Sequence, residues 1–116
     1  MLTAVVLSVL IDACSKSNGP KNCNFKLDLG EKLTSNESVI YLAGVSDPAS
    51  SIAAVSYLDS NGTTTVTNPV LPFTVEVNLK SGSTPTIVAN GVAQKGQKIN
   101  ISIVVNGVQT GSECAN

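Results

Sequence analysis

From Phe73 to Lys80 the chain alternates without a break. Phe73, Val75, Val77 and Leu79 are apolar, and Thr74, Glu76, Asn78 and Lys80 between them are polar. Successive side chains on a β-strand point to opposite faces, so this spacing predicts a strand with one face in a core and the other in water. A helix would scatter the same four apolar residues around its circumference. Ile99, Ile101, Ile103 and Val105 repeat the pattern, opposite Asn100 and Ser102, with Val104 partly covering the second face. SVIYLAG, SIAAVSYLD, GTTTVTN and TPTIVANGV are shorter runs rich in Val, Ile, Thr and Tyr, bounded by turn residues, and read as further strands. Residues 25–29, FKLDL, add an edge strand.

The punctuation between these runs is that of an all-β chain. Asn61-Gly62 and Asn106-Gly107 are each expected as the central pair of a tight hairpin, because both residue types tolerate positive φ. Asn90-Gly91, Ser81-Gly82 and Lys95-Gly96 are expected to mark further turns. Pro69 and Pro72 flank Val70-Leu71 and predict an extended crossover there. No window beyond the first residues carries a helical apolar stripe. The predicted fold is an all-β, immunoglobulin-like two-sheet antiparallel β-sandwich of about seven strands. The Cys and Trp landmarks of antibody domains are missing, so the expectation covers architecture alone.

The N-terminus is of a different kind. Residues 2–11, LTAVVLSVLI, are too short to span a bilayer as a helix, which needs ~20 apolar residues, but match the apolar stretch of a secretory signal. Ile11-Asp12-Ala13-Cys14 resembles the lipobox of bacterial lipoproteins, which makes Cys14 the expected lipid attachment point. Asp12 stands where that motif has a small uncharged residue, and no Lys or Arg precedes the apolar run. The expected division is a removed signal over 1–13, a flexible tether over 14–24 and the sandwich over 25–116. The competing reading makes residues 4–11 a first strand or core helix of a cytosolic domain. Cys23 and Cys114 suit an exported chain: pairing them would close a loop of about ninety residues, worth roughly 4 kcal/mol in the chain-entropy model. The alternative is two unpaired thiols.

Composition narrows the function. The chain has a net charge of −1, no arginine, no histidine and no tryptophan. Its seven lysines are scattered, so no basic face for nucleic acid is expected. Without histidine the commonest general base and metal ligand are gone, and no S-x-x-K or G-x-S-x-G frame supports a serine nucleophile. No enzyme activity, cofactor or metal is expected. Asp59-Ser60-Asn61-Gly62 resembles the opening of a calcium loop, but its Gly comes too early and the distal Glu is missing, so it reads as a turn. Tyr41 and Tyr57 could offer rings to a glycan or partner, or pack in the core as strand tyrosines usually do.

In this frame VIYLAG, AAVSYLDSNG, VLPFTVEV, IVANG and INISIVVNG follow one another in an order that resembles the extracytoplasmic domain of the mycobacterial small membrane proteins, the MmpS-like family. The residues that carry the resemblance are Tyr41, Gly44, Tyr57, Asp59, Leu71, Pro72, Phe73, Ile103, Asn106 and Gly107. It spans about residues 39–108. It implies a small immunoglobulin-like accessory domain working beside a large RND-type transporter that exports lipids or siderophores. The chain is expected to depart from the family in lacking a transmembrane helix, which a lipid anchor would replace, in Asn100 standing for a cysteine, and in Phe73 standing for a common Trp. The loss at Asn100 leaves Cys114 to find another partner, with Cys23 as the candidate. The expected protein is a monomeric cell-envelope lipoprotein, periplasmic or surface-exposed, with secretion as the alternative location. The competing function is an adhesin-like or glycan- or protein-binding surface module.

Overall fold

The computed structural model describes residues 19–116, which form eight strands. They are β1 (Lys21–Asp28), β2 (Glu37–Val45), β3 (Ser51–Asp59), β4 (Gly62–Thr67), β5 (Phe73–Leu79), β6 (Thr86–Ala93), β7 (Lys98–Val105) and β8 (Val108–Ala115). Two four-stranded antiparallel sheets result, ordered β1-β6-β3-β4 and β5-β2-β7-β8. The fold is the expected β-sandwich, with one strand more than the expected seven. Cys14 lies outside the described residues.

The alternation seen in the sequence builds the core. Val39, Tyr41 and Ala43 from β2, Ile99, Ile101 and Ile103 from β7, and Ile87, Ala89 and Ala93 from β6 are all buried. Each fully buried Ile or Val contributes ~1.5–3 kcal/mol relative to exposure, so the three isoleucines of β7 form a strong spine. Phe73, Val75 and Val77 turn the same way on β5 but stay half-buried, because β5 is an edge strand.

In an immunoglobulin domain the last strand extends one sheet and the first extends the other. Here too the first and last strands lie in different sheets, each at an edge. β1 pairs with β6 at the edge of its sheet, while the β7–β8 hairpin joins the opposite sheet against β2. The two chain ends therefore meet along one side of the sandwich, where a disulfide joins Cys23 of β1 to Cys114 of β8 across a Cα–Cα distance of 6.0 Å. The strand begins at Lys21, so residues 21–24 belong to the sheet and not to the tether expected over 14–24; Cys23 is buried.

Two turn expectations are corrected. Asn90-Gly91 is no turn but the interior of β6. β3 carries a bulge between Ile52 and Ala54, and Gly91 sits opposite it. A Cβ on Gly91 would stand 2.2 Å from the Ser51 carbonyl oxygen and 3.0 Å from Ile52 Cα. Glycine is needed there for close approach between strands, not for chain reversal. The bulge also resets the alternation of β3, so that Ile52, Val55 and Tyr57 all face the core. In the β3–β4 hairpin, Asp59 pairs with Gly62, which makes Ser60-Asn61 the central pair in place of Asn61-Gly62. Asn106-Gly107 does form the tight β7–β8 turn, both residues at positive φ.

Candidate functional site

The residues that carried the family resemblance separate into three places. Tyr41, Tyr57, Phe73 and Ile103 lie inside. The Tyr41 and Tyr57 rings are 5.4 Å apart and Tyr57 is 6.0 Å from Phe73, a tilted aromatic chain between the two sheets. With Tyr41 and Tyr57 buried, neither ring is offered to a glycan.

The Tyr41 hydroxyl has a structural task. It donates to the Leu58 carbonyl at 2.8 Å and accepts from the Thr86 N–H at 3.3 Å. Pairing between β3 and β6 runs to Tyr57↔Ile87, so Leu58 and Thr86 would make the next rung. The hydroxyl reaches across from the other sheet and stands in for that rung. Burial pushes the Tyr41 phenol up to about 12, helped by the nearby Asp59 charge and opposed by the Thr86 N–H.

Asp59 caps its own hairpin. Its carboxylate accepts from the Thr64 hydroxyl and from the Asn61 N–H, and these bonds hold it below the usual carboxylate range. Its oxygens are thus directed at turn donors. No grouping of three or more metal-ligating residues occurs among the described residues. Asn106 and Gly107 form the turn at the same end of the sandwich, where Asn106 Nδ2 donates to Glu37.

Gly44, Leu71 and Pro72 come together at the opposite end. They line an open cleft of about 520 Å³ with Val45, Asp47 and Pro48. One wall is the β2–β3 connection and the other is the crossover from β4 to β5, which contains a cis Leu71-Pro72 bond. A Cβ at Gly44 would meet only Asn100 Oδ1, at 3.5 Å, so packing tolerates a larger residue there. The first wall is braced from behind. Ser46 Oγ donates to Gln97 Oε1 and accepts from the Lys98 N–H, both at 2.8 Å, and buried Ser50 accepts from the Gln94 N–H at 3.0 Å. Beside the cleft Val70 projects into solvent, 86% exposed. Sequence reasoning found Leu71 and Pro72 but not Val45 or Ser50 as neighbours. The Asp47-Pro48 dipeptide, a turn former, is the local signal this wall carries.

This framework of inward Tyr41 and Tyr57, a Leu-Pro-aromatic crossover and a terminal Asn-Gly hairpin is matched by the family model described as Mycobacterium membrane protein, over residues 8–115. The chain belongs to that family. Comparison with curated proteins and with solved structures gives no match. Membership makes this an MmpS-like protein of mycobacterial membrane type, and its match extends upstream of the first described strand into the apolar N-terminal run. Among the described residues no helix is long and apolar enough to cross a membrane.

Proposed function

We propose that this MmpS-like chain is a non-enzymatic accessory domain of the cell envelope, held at the membrane through Cys14 and assisting a large RND-type transporter by direct contact. The observation that carries the reading is the family match over residues 8–115. The side-chain chemistry supports it: Tyr41 and Asp59, the polar groups of the family motif with displaced titration, are both spent on backbone and turn hydrogen bonds. The Leu71-Pro72 cleft offers shape and apolar contact for recognition.

Two measurements test this reading. Affinity capture of the full chain from cross-linked membranes of its native host should recover a large transporter, and repeated recovery of none would sink the transport role. Intact mass of the membrane fraction should show an acylated Cys14 at the mature terminus. A chain still starting at unmodified Met1 would refute lipid anchoring.

A further inference from the structure

One end of the sandwich gathers the start of the described chain and three connections. β1 begins there, β8 ends there, and the connections 46–50, 68–72 and 94–97 close over it. The Asn116 amide donates both to the Gly19 carbonyl and to the Ala93 carbonyl, each at 2.9 Å, which pins Gly19 to this end. The described chain therefore enters the domain at this end. From Ile11, the last residue of the apolar run, to Gly19 the chain can reach at most roughly 25–30 Å. From Cys14 the reach is shorter still. With β1 starting at Lys21, little slack separates this end from whatever residues 1–14 are attached to.

The same end carries the most exposed large apolar side chain of the described residues, Val70. A single exposed valine is ordinary on a soluble surface. Here it stands on a ridge bounded by Pro69 and Pro72, beside half-buried Leu71 and the open cleft, with Pro48 exposed across it. Proline fixes its own φ, so the backbone is restrained at Pro69 and Pro72 on either side of Val70-Leu71, and Asn68 enters the ridge at a positive φ of 50°. Side-chain charge is divided along the same axis. Lys21, Lys95 and Lys98 lie near this end with Asp47 and Glu113, and Lys98 and Glu113 pair at 3.5 Å. The far half holds Asp28, Glu31, Glu37, Asp59 and Glu76 against Lys26, Lys32 and Lys80, and is net acidic.

We propose that this end lies flat against the lipid surface, with Val70 and the Pro69–Pro72 ridge seated at the boundary between headgroups and acyl chains. The acidic end then points away from the membrane, as repulsion from anionic headgroups requires. The inference rests on the reading that residues upstream of Gly19 attach the chain to a membrane. It deepens that reading by fixing which face of the domain meets lipid, and it is independent of the transporter.

The absence of tryptophan supplies the test. Val70→Trp and, as the far-end control, Val108→Trp each place a single indole on a surface that already exposes a valine. The full chain is reconstituted into vesicles of equimolar phosphatidylglycerol and phosphatidylcholine, with and without bromine on the acyl chains. Emission from Val70→Trp should shift to the blue and be quenched severalfold more by brominated chains than emission from Val108→Trp. Equal quenching of the two in co-sedimenting protein overturns the proposal while leaving the anchor intact. A blue shift without bromine quenching also overturns it, in favour of a protein contact. Failure to co-sediment overturns anchor and proposal together. A transporter missing from the capture experiment changes none of these readings.

Discussion

Tyr41 shows how much one hydroxyl can hold. Alternation along SVIYLAG places it on the apolar face, and that much is legible from spacing. Its two partners, Leu58 and Thr86, lie 17 and 45 residues away, so no local pattern announces that the phenol completes a rung between two strands of the other sheet. Tyr41→Phe keeps the ring and strips both backbone groups of their partner. The expected loss is about 1–3 kcal/mol in chemical denaturation, and no measurable loss would remove the bridging role. The raised phenol also fixes a pH effect. The folded state holds the proton up to about 12 against 10.0 for an ordinary tyrosine, so its contribution is whole below pH 10 and is lost as pH rises through 12. Alkaline unfolding should therefore be steepest across that window and flatter in Tyr41→Phe, as read by circular dichroism against pH.

At the scale of the element, strand existence was readable and strand geometry was not. β5 and β7 follow from strict alternation, and Asn106-Gly107 follows from turn chemistry. β1 is longer than its apolar FKLDL segment suggested. Cys23, Phe25, Leu27 and Leu29 already alternate, so the cysteine was the overlooked first inward residue. Asn90-Gly91 misled for a physical reason: the same dipeptide serves chain reversal by positive φ and close strand approach by a missing Cβ, and only the partner strand decides. The bulge in β3 makes that decision and has no signature of its own in SIAAVSYLD. Gly91→Ala should accordingly destabilise by about 1–3 kcal/mol, since the clash is with backbone. Gly44→Ala, whose Cβ meets an exposed side-chain oxygen at ordinary distance, should stay near wild type. Similar thermal midpoints for the two variants would count against the close-approach account.

For the whole molecule, the cleft was the least legible feature. Its walls come from connections that the whole β3–β4 hairpin separates in the sequence, and their juxtaposition depends on the chain crossing from β4 to the other sheet to form β5. The disulfide, by contrast, was expected as one of two alternatives, and its two cysteines can meet because the first and last strands are edge strands of the two facing sheets on the same side of the sandwich. It closes a separation of 91 residues, for which chain entropy gives about 4–5 kcal/mol. Reduction should lower the denaturation midpoint accordingly, and an unchanged midpoint would mean the bond constrains little. Its position has a mechanical consequence. Cys23 is four residues from Gly19 and Cys114 is two from Asn116, so a pull applied between those two points travels through the sulfur–sulfur bond alone. The ninety residues between the cysteines form a loop that carries no tension, and under such a load the sandwich would stay folded until a covalent bond gave way.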